Sequence, residues 1–185
     1  MNNQNFRPVI LTIILYAVLA LVFTAVSMVS RPSGTLVGVL RPLDEIPAHV
    51  FLLAAGGLAL GFLASLGLRR FDIWLVILIP SVVVLTDLDH LPSALGLVQA
   101  VRPVHSFVFL AVSFVAVATI IRRLDLSVAV MSGFFAHLGV DTGIFPPLSP
   151  LSFSYYHLGP FQVEFLAAAS ACALAAGLLG RRRTR

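Results

Sequence analysis

Two short polar segments lie inside the otherwise apolar runs of this chain. The first covers residues 86–90, Thr-Asp-Leu-Asp-His, and is followed by His105, and the second covers residues 137–141, His-Leu-Gly-Val-Asp. An ionisable side chain close to lipid is costly, so it usually has a partner or a function. Because imidazole nitrogens and carboxylate oxygens are ligands of zinc and similar divalent metals, the two segments predict a metal site.

The spacing within the segments favours a shared centre. His137 and Asp141 are four residues apart, which places them one turn apart on the same face of a helix. Asp87 and Asp89 lie just before Pro92, where a helix is expected to end, so both carboxylates can turn toward one point. A metal held by three or four such groups, with one position open, promotes hydrolysis of a phosphoryl or carbonyl compound.

Less specific explanations apply to single members of this set. His137 and Asp141 alternatively form a hydrogen-bonded pair between helices, which would satisfy a buried charge. His49 alternatively lies at a membrane interface. Another interpretation of His90 is that it orients a metal ligand without binding the metal, or that it is simply solvated.

The composition indicates a membrane protein. Of the 185 residues 59% are hydrophobic and 11% are charged, and the mean hydropathy is +1.01, whereas a soluble domain carries about 25% charged residues. The net charge of +4 comes from arginines at the ends of apolar runs, which is typical of topology signals and not of a nucleic-acid surface. The single cysteine, Cys172, excludes a disulfide within the chain and a cysteine zinc site.

The apolar runs predict an all-α fold, a polytopic bundle of about six transmembrane helices in a single domain over residues 1–185. The first run is long and lacks a convincing cleavage site, so we expect a retained helix and not a signal peptide. We expect the core that holds the metal site over about residues 48–152. The six runs cover about residues 9–29, 48–68, 73–85 with the polar segment that follows, 107–121, 126–145 and 161–179.

The distribution of arginines predicts the orientation. With the N-terminus inside, nine arginines are cytoplasmic, and Arg31, Arg41 and Arg102 lie outside, as the positive-inside rule requires. We therefore expect a multi-pass protein of the inner or plasma membrane with both termini in the cytoplasm. In that arrangement His49 and both polar segments reach the extracytoplasmic side, which the predicted site would then face.

The order of these polar residues resembles the YdjM-like inner-membrane proteins, which are described as membrane-bound metal-dependent hydrolases. That family has an early histidine, a Pro-Asp-Ile-Asp-His segment, a His-Arg-Gly-x-Thr-His-Ser segment and a His-x-x-x-Asp segment. The corresponding parts here are His49, residues 87–93, residues 105–106 and residues 137–147. The resemblance covers about residues 48–152.

Two departures from the family pattern stand out. Thr86 replaces the family's proline, and residues 101–104, Val-Arg-Pro-Val, replace the His-Arg-Gly-x-Thr portion, so one family histidine is missing. The family is distantly similar to zinc-dependent phospholipase C and P1-type nucleases, which implies one or two divalent ions, expected to be zinc. The metal ligands that this similarity implies are His49, Asp89, His105, His137 and Asp141.

Three functions are compatible with these residues. The first is a membrane-embedded hydrolase that cleaves a phosphoester of a lipid or lipid-linked substrate at the outer leaflet, with Asp87, Asp89 and His90 as predicted catalytic residues. The second is a non-enzymatic membrane protein in which the polar residues form a structural metal site or hydrogen-bond network. The third is a small transporter, although polar residues gathered toward one leaflet argue against a site at the midplane. We expect membrane lipid, and not nucleic acid, as the partner.

Overall fold

Helices account for most of the chain. The computed structural model describes residues 6–30, 46–68, 72–94, 102–141, 144–152 and 154–183. Within these ranges six helices have ten residues or more, which confirms the prediction of a mostly helical protein. They are α1 (Phe6–Ser30), α2 (Ile46–Leu68), α3 (Ile73–Leu85), α5 (Phe107–Ala116), α6 (Leu124–Val140) and α7 (Gln162–Arg183), with a four-residue helix, α4 (Leu91–Ala94), between α3 and α5.

Among the residues that the structure describes, three helical segments are long and apolar enough to cross a membrane, namely Phe6–Ser30, Ile73–His90 and Gly159–Arg181. The second includes a 3-10 turn, Thr86–His90, that continues α3, and the third includes a 3-10 turn, Gly159–Phe161, that precedes α7. Three further apolar stretches have 10–17 residues among those whose side chains the structure describes, namely Val50–Leu66 within α2, Phe107–Ile121 and Leu124–Val140. The structure is therefore consistent with membrane association, while six crossings remain a prediction.

Two predicted runs end differently from expectation. The run over residues 107–121 is helical throughout, but α5 widens into a π-helical turn at Val117–Ile121. The run predicted to reach residue 145 ends as a helix at Val140, because Asp141 has an extended backbone with φ −73° and ψ 134°. Asp141 thus follows the helix, and its backbone N–H donates to the carbonyl of His137 at 2.9 Å.

The sequence did not predict two short strands. Strand β1 (Ile144–Phe145) pairs antiparallel with β2 (Tyr156–His157), and Ile144 lies opposite His157. Two residues are too few to give the alternation by which a strand is recognised in a sequence. The segment between α3 and α5 also contains α4 and a 3-10 turn, Pro103–His105.

Four of the other helices pack around α6. It contacts α2, α3, α5 and α7, and side chains such as Phe134 are fully buried. The close approach of α6 to α3 depends on Gly133, because a Cβ there would lie 2.7 Å from the side chain of Val82. Gly57 has the same role between α2 and α3, where a Cβ would lie 2.5 Å from Cα of Pro80. Small residues at helix contacts are typical of packing in membranes.

One end of this bundle collects the polar segments. There α3 ends in the turn Thr86–His90, α5 begins after the turn Pro103–His105, and α6 ends at Val140, just before Asp141. Helix α1 supports the first turn, since the Tyr16 hydroxyl lies 2.8 Å from the hydroxyl of Thr86. Side chains from three separate parts of the chain consequently meet at one place.

Candidate metal centre

The turn after α3 sets the direction of the first polar side chains. A 3-10 helix has about three residues per turn, so side chains three positions apart eclipse one another. Asp87 and His90 therefore lie on the same side of the turn, and Oδ1 of Asp87 is 3.5 Å from Nε2 of His90. Asp89 lies on a different side and reaches the segment that precedes α5.

His105 is oriented by the carboxylate of Asp89. The turn Pro103–His105 follows Arg102, whose backbone is left-handed with φ 50°. Oδ2 of Asp89 accepts a hydrogen bond from the N–H of Val104 at 3.0 Å and lies 3.0 Å from Nδ1 of His105. The carboxylate thus fixes the ring through Nδ1, which leaves Nε2 facing the other imidazoles.

His137 is oriented by a backbone carbonyl. It lies fully buried in the last turn of α6, and its Nδ1 is 2.8 Å from the carbonyl oxygen of Val83 on α3. A carbonyl oxygen only accepts, so in the neutral ring Nδ1 carries the hydrogen and Nε2 has the lone pair. Hydrogen bonds of this kind fix the tautomer of metal-binding histidines.

Three imidazole nitrogens surround one carboxylate oxygen. Oδ1 of Asp87 lies 3.5 Å from Nε2 of His90, 3.6 Å from Nε2 of His105 and 3.4 Å from Nε2 of His137. Two nitrogen or oxygen ligands of a tetrahedral zinc ion are roughly 3.3 Å apart, because each is about 2.0–2.1 Å from the ion. The three distances match the edges of such a coordination shell, so this His/Asp cluster could hold a metal ion.

Asp141 and Arg102 complete the cluster. Oδ2 of Asp141 is 3.8 Å from Nε2 of His105, and these two residues form a second group of potential metal ligands with His137. One nitrogen of the Arg102 guanidinium forms an ion pair with Asp141 and lies 2.7 Å from Nε2 of His105. The other terminal nitrogen donates to the carbonyl of Ile144 at 2.6 Å.

Most of the cluster is shielded from solvent. The side chains of Asp89, His105 and His137 are fully buried, whereas those of Asp87 and His90 are 20% and 34% exposed. The cluster therefore opens to its surroundings at Asp87 and His90. A buried centre with one accessible edge suits a metal that must meet a reactant from outside.

Some buried polar atoms of the cluster have no hydrogen-bond partner among the described residues. They include Oδ1 of Asp89 and Nε2 of His90, which lie 3.7 Å apart. Buried polar groups are normally paired, and an acceptor oxygen beside an imidazole nitrogen is the donor set that a divalent cation satisfies. The residues present thus fit a metal ion.

Charges in the cluster shift the pKa values of the groups that lie between the helices. Burial raises the pKa of Asp141, but the Arg102 cation outweighs it and holds that pKa well below its ordinary value. Burial and Arg102 lower the pKa of His105, whereas the carboxylates of Asp89 and Asp87 raise it and prevail. Asp141 is therefore an anion at neutral pH, and a proton, the guanidinium and a metal ion compete for Nε2 of His105.

The structure brings together most residues that the sequence singled out. Asp89 contacts Nδ1 of His105, while Asp87 is the aspartate that faces the Nε2 atoms. The distances thus favour Asp87 as a ligand, whereas Oδ2 of Asp89 orients His105 and its Oδ1 is still a potential ligand, the role that the sequence suggested for Asp89. The side chain of His49 lies outside the described residues. The residues that meet are Asp87, Asp89, His90, His105, His137 and Asp141.

Arg102 is the member of the cluster that sequence reasoning missed. The sequence placed it in an outer loop as a topology signal, but its side chain is only 6% exposed and contacts two candidate ligands. Its position held a clue, since it lies three residues before His105.

Comparison with known proteins adds no template for this centre. No protein-family model, curated protein or solved structure matches the chain. The candidate metal centre therefore rests on the geometry of its own side chains.

Proposed function

We propose that this chain is an integral membrane metal-dependent hydrolase that cleaves a phosphoester of a lipid or lipid-linked substrate. The observation that carries this proposal is the position of one Asp87 oxygen, 3.4–3.6 Å from the Nε2 atoms of three histidines. A group of this composition is costly to bury unless it binds a cation. Its partly exposed edge gives a substrate access to the ion.

The donor set favours zinc. Neutral imidazole and carboxylate are its usual ligands outside cysteine sites, and His90, His105 and His137 with Asp87 would hold the ion. A bound divalent ion supplies Lewis acidity, which polarises a phosphoryl oxygen and makes water a stronger nucleophile. Asp89 holds the His105 ring in position, and the partly exposed Asp87 and His90 are nearest to an incoming substrate.

The proposed substrate class follows from where the cluster lies along the helices. Helices α3 and α6 end at the cluster and α5 begins there, so in a six-helix arrangement the site lies at the headgroup level of one leaflet. Arg122 and Arg123 lie at the opposite ends of α5 and α6. Because arginines mark the cytoplasmic side, the site would face the extracytoplasmic leaflet, where phosphoesters of lipid headgroups are available.

The resemblance to the YdjM-like hydrolases supports the same proposal. The residues that carry it, from Asp87 to His90, His105, and His137 to Asp141, belong to the cluster. The resemblance and the geometry are separate arguments, since the order of residues in a chain does not require their side chains to meet.

Metal analysis of the purified protein tests the proposal. We expect stoichiometric divalent metal in the detergent-purified wild type and its loss in His137→Ala, because that change removes a nitrogen 3.4 Å from Asp87. His157→Ala is the matched control, since His157 is exposed and lies in β2. Hydrolysis of short-chain phospholipids by the metal-loaded protein should follow the same pattern. A wild type without metal, or metal that survives in His137→Ala, would contradict the proposal.

A structural polar network is the second candidate. The ion pair between Arg102 and Asp141 favours it, because that pair neutralises one carboxylate with the chain's own cation. In that case the wild type would bind no metal, or would bind it without hydrolysing any phosphoester. His137→Ala would then lower the unfolding temperature, and no phosphoester hydrolysis would be seen in either protein.

A further inference from the structure

We infer that the connector between α6 and α7 lies in the lipid leaflet beside the metal centre, where its exposed apolar side chains contact phospholipid. The connector is described over residues 144–152 and 154–161, and it contains β1, β2 and the 3-10 turn that precedes α7. The inference goes beyond the proposed function, because it concerns a surface that contributes none of the residues of the His/Asp cluster. It follows from the charge, the exposure, the backbone and the attachments of the connector.

The connector has no charged side chain of the acidic or basic types. The sequence between Asp141 and Glu164 contains no Asp, Glu, Lys or Arg, but it contains five aromatic residues. About a quarter of the residues of a soluble domain are charged, so a loop of this length in water would normally carry several charges. Aromatic residues, tyrosine among them, are enriched where a membrane meets water. The composition is therefore typical of a segment at the level of the lipid headgroups.

Apolar side chains lie on both the inner and the outer side of the connector. On the inner side Phe145 is buried, and its ring lies 5.8 Å from that of Phe107 in α5. On the outer side Leu151 is 80% exposed, and Leu148 and Tyr156 are exposed as well. A loop in water usually turns polar residues outward, whereas exposed apolar surface of this kind marks a contact with lipid or protein.

Much of the backbone of the connector is hydrogen-bonded within the connector itself. Strands β1 and β2 pair with each other, and the N–H of Leu151 donates to the carbonyl of Leu148 at 2.8 Å. The N–H of Phe161 donates to the carbonyl of Leu158 at the same distance. The four prolines of the connector have no N–H that needs a partner. Because backbone groups away from water must be satisfied by the protein, the connector is suited to the boundary between headgroups and acyl chains.

The connector is fixed at the depth of the metal centre. At its start, the carbonyl of Ile144 accepts a hydrogen bond from Arg102 at 2.6 Å. Just after its end, the side-chain amide of Gln162 donates to the carbonyl of Asp141 at 3.1 Å. The candidate membrane span of α7 begins within the connector, and Val163 in that span is 77% exposed. The exposed apolar side chains of the connector are thus continuous along the chain with those of α7, and phospholipid is the partner that covers both.

Tryptophan fluorescence in vesicles tests the inference and needs neither metal nor hydrolysis. The whole chain carries Trp74→Phe, which removes its one tryptophan, together with Leu151→Trp or Tyr156→Trp. Val163→Trp in the same background is the matched reference, because Val163 and Leu151 are similarly exposed. Each protein is reconstituted in phosphatidylcholine vesicles. The quenchers are a nitroxide lipid labelled near the glycerol and iodide on both sides of the bilayer, and N-acetyltryptophanamide is the standard for a tryptophan in water.

We expect Leu151→Trp and Tyr156→Trp to emit at shorter wavelength than the standard, to be quenched by the nitroxide lipid as Val163→Trp is, and to be protected from iodide. Quenching by iodide as in the standard, while Val163→Trp is protected, would overturn the inference and leave the proposed function standing. Protection from both quenchers would overturn it in favour of a second copy of the chain as the covering partner. Full quenching of Val163→Trp by iodide would remove the span itself, and with it both the inference and the membrane location in the proposed function.

Discussion

Nε2 of His105 and Nε2 of His137 lie 2.9 Å apart, and both rings are held in place through Nδ1. Nδ1 of His105 faces the carboxylate of Asp89, and Nδ1 of His137 donates to the carbonyl of Val83. With a hydrogen on each Nδ1, the two Nε2 lone pairs face each other. Such a contact is favourable only when a cation or a proton lies between or beside the nitrogens. The Arg102 guanidinium is beside Nε2 of His105, and a metal ion would also satisfy Nε2 of His137.

The two aspartates of the first polar segment should affect metal binding to different extents. Asp87→Asn removes the charged oxygen that faces three imidazoles, so we expect the loss of stoichiometric zinc. Asp89→Asn changes the carboxylate that orients the His105 ring through Nδ1. Loss of a group that orients a metal ligand weakens metal affinity by about 10- to 100-fold. Zinc titration against a chromophoric chelator measures both effects. Equal losses would contradict the distinct roles that the distances suggest.

Zinc affinity should fall as the pH is lowered. The carboxylates of Asp89 and Asp87 raise the pKa of His105, against burial and Arg102, and a protonated imidazole cannot bind a metal. Below this raised pKa a zinc ion must displace a proton from the His105 imidazole, and above it the ring nitrogen is available to bind the ion. The half-saturating zinc concentration should therefore decrease between about pH 6 and pH 8. Titrations at constant ionic strength test this, and an affinity that does not change over that range would count against His105 as a ligand.

The contact between α1 and the first polar segment should contribute to stability. Tyr16→Phe removes the hydroxyl that lies 2.8 Å from Thr86, while Thr86 keeps its hydrogen bond to the carbonyl of Val82. A buried hydrogen bond of this kind contributes about 1 kcal/mol, so we expect a lower unfolding temperature in detergent. Tyr156→Phe is the control, because the Tyr156 side chain is 54% exposed. Equal unfolding temperatures for both variants would show that the contact with Thr86 is unimportant.

The approach of α6 to α3 should tolerate no added side chain at Gly133. In Gly133→Ala the new Cβ would lie 2.7 Å from Val82 and 2.9 Å from the carbonyl oxygen of Ile79. Overpacking of this kind costs about 1–3 kcal/mol, and it would also move α6 away from Val83, which orients His137. We expect a lower unfolding temperature and weaker zinc binding. Gly159→Ala should be close to neutral, because a Cβ there meets nothing within 4 Å.

The helices were largely predictable because each depends on local composition. A run of apolar residues long enough to span a bilayer is helical whatever its neighbours do, since every backbone group must be satisfied within the segment. The helix α6 was predicted to extend through Asp141 to residue 145, and it ends at Val140 because Asp141 turns into an extended conformation. The two-residue strands that follow depend on pairing between distant segments, which no local pattern reveals.

Most of the residues that meet in the cluster could be singled out from the sequence, but their roles could not. Carboxylates and imidazoles in apolar runs are costly enough that the sequence alone indicates a shared function. Which aspartate faces which nitrogen depends on the 3-10 turn at Thr86–His90, and that turn brings Asp87 and His90 to one side. Arg102 was missed because a loop arginine before a proline resembles a topology signal, and only its burial against Asp141 shows otherwise.

The sequence by itself determined that the chain is apolar and helical. It also determined that the few ionisable residues fall near the ends of particular helices. Both follow from the sequence because the length of an apolar run and the charge of a residue are properties of the residues alone. The tertiary structure decided that Asp87 faces three imidazoles, that Asp89 stands behind His105, and that the chain's own arginine lies among them. These relationships depend on how α3, α5 and α6 meet at one end of the bundle. The way these helices meet is set by close packing at residues such as Gly133. The order of residues in a sequence carries no information about distances between side chains that lie far apart in the chain.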